Sequence, residues 1–243
     1  MPNWVQNNIY LHGSDEDIKK VLELVKSEES EFDFNKIIPM PKELEIASSS
    51  LNELGIVCFL SNRLTIPFEQ LDKHCLGYVT NMFDSNWART IYDERLPDRR
   101  DEFDKLYEIG KVCCENIRKY GYMDWYDWCR DNWGTKWNSC EVYIEDNCIS
   151  FQTAWSVPDP IFEAFAYICD EYNVTFDGEY ADENRGYNTG HISSENGITG
   201  YKDNSHEALR AYIDLWGDSG CIGEDENGNL INYDCDTCPN KCY

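Results

Sequence analysis

Two stretches of the sequence carry side chains that could bind a metal or a ligand. The first lies near the C-terminus, where two residues separate Cys235 from Cys238. This spacing allows both thiolates to reach one tetrahedral Zn²⁺, with Cys242 as a third ligand and Cys221 or His206 as a fourth. A single Cys-x-x-Cys pair is a weak metal signature, so an acidic tail with free thiols is the competing interpretation. Zinc is the one cofactor that the sequence offers.

The second stretch, residues 125–138, combines four tryptophans with several fixed polar groups. These groups could line a polar pocket beside indole walls, as in a sugar site. Buried indoles also need hydrogen-bond partners, so the same composition is typical of a core that joins a helical insertion to a sheet. The candidate binding residues are Asp124, Trp125, Asp127, Trp128, Asn132, Trp133, Thr135, Lys136 and Trp137.

No arrangement of nucleophile and base stands out elsewhere in the chain. The four histidines are scattered, and no Ser/His/Asp or Cys/His order indicates a catalytic centre. Gly13 leads into a helix without the glycine repeat of a phosphate-binding loop. We therefore predict no catalytic residue and expect binding rather than catalysis.

The charge of the chain limits the classes of partner. Its 243 residues include 46 acidic and 21 basic side chains, for a net charge of −25. This balance argues against direct nucleic-acid binding, which needs cations to neutralise phosphates. The charge could simply keep the protein soluble, or it could attract a basic protein partner. The sequence does not indicate an oligomeric state.

The expected location is the cytoplasm. The N-terminus lacks the basic and apolar regions of a signal peptide, and the longest apolar run, residues 56–60, is too short for a membrane span. In this setting the twelve cysteines are expected to be reduced core residues or metal ligands. Six of them lie within apolar patterns and are predicted to be core side chains: Cys58, Cys113, Cys114, Cys129, Cys148 and Cys169.

The elements that must position these residues follow from hydrophobic periodicity. Alternation from Val5 to His12 predicts a first strand, and Ser14 caps an amphipathic helix. Residues 42–122 have a mainly helical pattern, with interruptions near Gly55, Pro67, Gly77 and Pro97.

A hairpin over residues 140–155, a helix from Pro160, a strand around residues 174–180 and a last helix capped by Ser205 complete the pattern. The order predicts an α+β, ferredoxin-like (split βαβ) antiparallel sheet with helices on one face and a large helical insertion. We expect one domain over residues 1–217, an insertion over about 42–122, and an acidic, cysteine-bearing tail over 218–243.

Trp137 and Trp155 are predicted to lie under helices on the covered face of the sheet. Trp155 shares one side of its strand with Ile149 and Phe151, which is the apolar side. If both indoles are buried, each truncation to alanine should cost about 3–5 kcal/mol. The competing interpretation is an exposed aromatic platform for a sugar or base.

Several segments together resemble the YubB ferredoxin-like domain family, found in proteins of phages, plasmids and integrated elements. The similarity lies in Pro-Asn-Trp at 2–4 with Asn8, in residues 32–41, and in residues 125–138 with their Asn-Trp-Gly-Thr-Lys-Trp-Asn core at 132–138. It also lies in residues 153–156 with Pro158 and Pro160, and in the turn at 180–186. The resemblance implies a ferredoxin-like domain and a mobile-element origin, and it implies no catalytic residues. Residues 42–122 and the tail after Gly217 depart from the pattern.

The sequence thus leads to three hypotheses about function. The first is a mobile-element protein that binds another protein, and acts as an acidic, nucleic-acid-mimicking inhibitor of a host nucleic-acid-handling or defence factor. The second is a small-ligand or sugar-binding protein, or an enzyme, that uses residues 125–138. The third is a structural or regulatory module held together by metal at its tail.

Overall fold

The chain folds into two compact units. The structure is a computed structural model, and it describes residues 3–82, 86–217 and 220–233. Met1–Pro39 and Cys129–Tyr243 form the first unit, which we call the sheet unit. Met40–Trp128 form the second, the helical unit, which contains the region predicted as an insertion.

The sheet unit contains a six-stranded antiparallel sheet with the order β2-β3-β1-β4-β5-β6. Its first four strands follow the ferredoxin-like order, with the helical unit inserted in the connection from the first strand to the second, so the predicted α+β fold is confirmed. The strands are β1 (Trp4–His12), β2 (Cys140–Glu145), β3 (Cys148–Ala154), β4 (Thr175–Asp182), β5 (Thr189–Ser193) and β6 (Gly197–Gly200). The helices of this unit are α1 (Asp15–Val25), α2 (Phe34–Ile37), α8 (Asp159–Glu171) and α9 (His206–Trp216).

The alternation in β1 decides which side of the sheet is covered. Val5, Asn7, Ile9 and Leu11 are buried, as the sequence predicts, and we call their side the covered face. Helix α8 packs there through a cluster of phenylalanine rings whose centroids lie 5.0–6.0 Å apart. The cluster consists of Phe32, Phe151, Phe162, Phe165 and Phe176.

The helix caps expected from the sequence are present. Ser14 accepts a hydrogen bond from the backbone N–H of Asp17, and Ser205 accepts one from Ala208. Helix α9 packs against β4 and β5, where Trp216 Nε1 donates to the carbonyl of Ala181 at 2.9 Å.

The region predicted as a tail contains a small hairpin, formed by β7 (Ile222–Glu224) and β8 (Leu230–Asn232). Asn232 Nδ2 donates to the carbonyl of Arg185 at 3.1 Å, which joins the hairpin to the rest of the sheet unit. The sequence pattern missed these strands because each has only three residues. Cys235, Cys238 and Cys242 lie outside the described residues.

The helical unit is built around two helices in very close contact. Its helices are α3 (Ser50–Leu60), α4 (Lys73–Met82), α5 (Trp87–Thr90) and α6 (Phe103–Tyr120), and α7 (Trp125–Asn132) begins in it. Gly55 and Gly77, predicted as interruptions, instead lie inside α3 and α4. Gly55 faces Gly110 of α6, where a Cβ on either glycine would overlap backbone atoms of the other helix. The two glycines therefore allow the helix backbones to touch.

We predict that Gly110→Ala destabilises the helical unit by about 3 kcal/mol or more, because its new methyl group would overlap the Gly55 carbonyl. The matched control is Gly77→Ala, since no atom of the described residues lies within 4 Å of a Cβ there. This control should stabilise α4 by up to about 1 kcal/mol through helix propensity alone. Urea melts of both variants check the prediction, and equal midpoints would contradict it.

Candidate functional site

The tryptophan-rich stretch predicted to bind a ligand is divided between the two units. The division falls within α7, between Trp128 and Cys129. Asp124, Trp125, Asp127 and Trp128 belong to the helical unit. Asn132, Trp133, Thr135, Lys136 and Trp137 belong to the sheet unit. We describe each group within its own unit.

Asp124 does not face solvent. Its side chain is buried, and its carboxylate accepts hydrogen bonds from Asn52 Nδ2 and from the backbone N–H of Tyr126, both at 2.9 Å. Burial raises the pKa of Asp124, and these hydrogen bonds oppose that shift. This geometry anchors the start of α7 to α3 and leaves no carboxylate oxygen positioned to meet a ligand.

The other members of this group also have internal roles. Asp127 accepts a hydrogen bond from Tyr78 Oη at 2.7 Å, and burial together with this carboxylate raises the pKa of the Tyr78 phenol. Trp128 is buried, while the ring of Trp125 is half-buried and lies 5.7 Å from that of Tyr126. This part of the stretch is therefore core and capping structure rather than a ligand pocket.

We predict that Asp124→Ala destabilises the helical unit by about 2–4 kcal/mol, because it removes a buried acceptor for two N–H donors. Glu115→Ala, at an exposed position of α6, is the control and should shift the unfolding free energy by less than about 0.5 kcal/mol. Denaturant melts followed by tryptophan fluorescence measure both. A near-wild-type midpoint for Asp124→Ala would show that its hydrogen bonds are dispensable.

In the sheet unit, Trp133 and Thr135 also have structural roles. Trp133 is buried, its Nε1 donates to the carbonyl of Ile38 at 2.9 Å, and its ring meets Phe34 edge-on. Thr135 is buried and donates to the carbonyl of Ala154 at 2.8 Å. Asn132 is partly exposed at the end of α7. The two buried side chains cannot reach a ligand without unfolding this region.

Lys136 and Trp137 belong to a cluster that does reach the surface. Lys136 Nζ lies 4.5 Å from the ring centroid of Trp137 and 4.6 Å from that of Trp155. Trp4 lies 5.9 Å from Trp137, ring to ring. We call these four residues the tryptophan clamp. Its geometry is that of a cation held between two aromatic faces.

The predicted burial of Trp155 was wrong, since 40 % of this residue is exposed. The reason is its backbone, which has φ of +76° at the end of β3. A residue in this left-handed region breaks the strand alternation, so Trp155 no longer follows Ile149 and Phe151 into the core. Trp137 is half-buried rather than fully covered. The expected loss of about 3–5 kcal/mol in unfolding free energy assumed that both indoles are fully buried, and neither is.

We predict that Trp133→Ala costs about 3–5 kcal/mol, as expected for a large buried side chain. Trp155→Gly should cost about 1 kcal/mol or less, because relief of the left-handed strain offsets the lost contacts. Chemical unfolding of the two variants measures the difference. A large loss for Trp155→Gly would mean that the tryptophan clamp is a structural element of the core.

The described cysteines are mostly buried. No cluster of three or more potential metal ligands occurs among the residues that the structure covers. Cys221 is buried and His206 begins α9, whereas Cys235, Cys238 and Cys242 lie outside that part of the chain. Burial raises the pKa of Cys58 to about 11 and that of Cys169 to about 12, so both remain protonated near neutral pH. Of the six cysteines predicted as core, only Cys148 is partly exposed.

Two surface features of the sheet unit were not found from the sequence. The first is the open face, formed by those side chains of β1–β4 that alternate away from the covered face and remain at least partly exposed. Ala181 of β4 points the same way but is buried, and α9 packs on that strand. It holds a depression of about 530 Å³ between Tyr10 and Tyr143, which are 49 % and 60 % exposed. His12 Nε2 lies 3.1 Å from Asp177 Oδ1 on the same face.

The second feature is a groove of about 650 Å³ between α8 and the β5–β6 turn, which we call the α8 groove. Its wall includes Tyr167, which is 78 % exposed and has the highest exposed fraction of any large hydrophobic residue in the described chain. An exposed tyrosine on the outer side of an amphipathic helix is visible in the sequence, but its place beside the β5–β6 turn depends on the tertiary fold.

The comparison with protein-family models agrees with this fold. Residues 132–212, about a third of the chain, match the family model described as a ferredoxin-like domain in Api92-like protein. The sheet unit therefore contains a ferredoxin-like domain. The match supports a ferredoxin-like family of unassigned function and does not single out the YubB family.

No curated protein matches the sequence. The chain is similar to the crystal structure of protein api92 from Yersinia pseudotuberculosis, with 10 % sequence identity and a TM-score of 0.34. The alignment covers 83 % of this chain and 99 % of the api92 chain. A likeness of that size supports no inference about function. No helix in the described part of the chain is long and apolar enough to cross a membrane.

Proposed function

We propose that this protein acts by binding a basic protein through its sheet unit. The observation that carries the proposal is the uneven distribution of charge. The sheet unit contains 30 acidic and 10 basic residues, whereas the helical unit contains 16 acidic and 11 basic residues. The sheet unit thus has a net charge of −20, and the helical unit −5. A solubilising charge would not need to be concentrated in one unit.

The sheet itself supports the proposal. None of the strands β1–β6 contains lysine or arginine. On the open face, Asp177 and Glu179 stand in β4 beside the exposed Tyr10 of β1. Such a surface repels a phosphate backbone and attracts lysine and arginine side chains. A basic protein is therefore a better match for this unit than a nucleic acid.

The class of partner that we propose is a nucleic-acid-binding protein of the host. These proteins carry concentrated lysine and arginine to neutralise phosphates, and an acidic domain can compete for the same surface. The chain would then act as an inhibitor that imitates the charge of a nucleic acid. The origin from a phage, plasmid or integrated element, and with it a site of action in the cytoplasm, rests on the resemblance and the sequence pattern described above.

The alternatives have less support from the geometry. A ligand pocket over residues 125–138 needs Asp124 or Asp127 to face solvent together with Asn132 and Lys136. Asp124 is buried and hydrogen-bonded internally, and Asp127 accepts a hydrogen bond from Tyr78. A metal-held tail depends on cysteines outside the described residues. Trp137, which belongs both to the predicted ligand segment and to the tryptophan clamp, still offers partly exposed aromatic surface to a binding partner.

We predict that the immobilised chain retains basic, nucleic-acid-binding proteins from a host lysate at low salt. High salt and added DNA should both release them, because screening and competition act on the same ion pairs. Mass spectrometry identifies the retained proteins. The proposal is overturned if no basic protein is retained at low salt, or if the retained proteins are indifferent to salt and DNA.

Two matched variants locate the binding to a unit. One neutralises four exposed glutamates of the sheet unit as glutamines: Glu28, Glu145, Glu163 and Glu195. The other does the same in the helical unit: Glu45, Glu94, Glu108 and Glu115. Both lose the same charge, so only a unit-specific interface predicts that the first variant retains less partner than the second.

A further inference from the structure

We infer that the α8 groove is the place where the basic partner binds, and that a lysine or arginine side chain of the partner lies against Tyr167. The inference rests on the proposed function and assigns it to one surface of the sheet unit. Three features of the groove carry it: an apolar floor, an exposed aromatic ring, and carboxylates on both walls.

The floor and the ring suit a long cationic side chain. Phe162 and Val174 are buried at the base of the groove, and Tyr167 stands above them, 78 % exposed. Lysine and arginine bury their aliphatic stems on apolar surface and keep the charged end at its edge. A tyrosine ring at that edge provides a face for the ammonium or guanidinium group.

The carboxylates come from two separate elements. Glu163 and Asp170 stand with Tyr167 on one face of α8, at helical spacings of four and three residues. Glu195 lies in the β5–β6 turn and lines the same groove. A cation in the groove therefore has a negative charge on either side of it.

These carboxylates are available for a partner. All three are exposed, and no lysine or arginine of the described residues lines the groove. None of them takes part in an ion pair within the described residues. The open face differs in this respect, because Asp177 already meets His12 and Glu179 accepts a hydrogen bond from Tyr201 at 2.8 Å.

The helix that carries the groove is firmly held. Phe162 and Phe165 of α8 pack on Phe176 of the sheet with ring centroids 6.0 and 5.2 Å apart. The outer residues of α8 are therefore fixed relative to the sheet, which lowers the entropy cost of binding. Because Tyr167 and the carboxylates are exposed, they can be replaced without disturbing this packing.

The test is a titration of the full chain with a fluorescent oligoarginine peptide at low salt, followed by anisotropy. The groove variant combines Tyr167→Ala with Glu163→Gln, Asp170→Asn and Glu195→Gln. We expect its Kd for the peptide to rise at least about tenfold, with a wild-type melting midpoint. Tyr167→Ala alone should raise the Kd about threefold, because it removes the binding energy of one exposed cation–π contact.

The control variant removes the same residue types at the opposite edge of the sheet: Tyr143→Ala with Glu141→Gln, Glu145→Gln and Asp146→Asn. Its Kd should rise by less than about threefold, the general effect of losing three charges. Equal losses in both variants, or a loss confined to the control, would overturn the α8 groove while leaving the proposed function standing. Failure of the wild-type chain to bind the peptide would count against the proposed function itself.

Discussion

The sheet unit depends on the register of β1, which pairs with β3 on one side and β4 on the other. Val5, Ile9 and Leu11 enter the core from this strand, and Asn7 lies among them with its Nδ2 bonded to Thr153 Oγ1 at 3.0 Å. A shift of one residue would turn all of these side chains to the open face and bring Tyr10 into the core. The register therefore also decides where the acidic and aromatic surface residues lie.

Local sequence patterns correctly predicted helices and strands that bury one regular row of apolar side chains. They failed where the structure depends on a contact between residues that are distant in sequence. The alternation of β1 and the helix that begins near Pro160 are local, and both were predicted correctly. Gly55 looked like a break in the helical pattern, yet it lies in a helix because Gly110 approaches it across the α3–α6 contact. The order of the six strands likewise depends on pairings that span the whole helical unit.

Short, glycine-rich strands were also beyond the sequence pattern. β6 begins and ends with glycine, Gly197 and Gly200, and has few side chains to show an alternation. It forms because β5 provides a partner for its backbone groups. The β5–β6 turn that places Glu195 opposite α8 therefore could not be inferred from the sequence, and neither could the α8 groove.

The composition of residues 125–138 shows why residue type alone is a poor guide to a binding site. Trp133 is buried, and its indole N–H donates a hydrogen bond to a backbone carbonyl. Trp155 is partly exposed, because its positive φ angle breaks the alternation of side chains along β3. Asp124 is as polar as any surface carboxylate, yet it is buried and accepts a hydrogen bond from the backbone N–H of Tyr126 at the start of α7. Burial separates these cases, and burial is set by the tertiary fold.

The concentrated charge of the sheet unit has opposite effects on the free and the bound protein. Repulsion among 30 acidic residues, offset by only 10 basic ones, weakens the compact state, and the phenylalanine core must compensate for it. Salt screens this repulsion and so stabilises the free protein, whereas it weakens ion pairs with a basic partner. A cationic partner that binds only the folded state relieves the same repulsion and adds stability as its concentration rises. Under the proposed function, the charge that costs the isolated unit stability is therefore also the charge that attracts the basic partner.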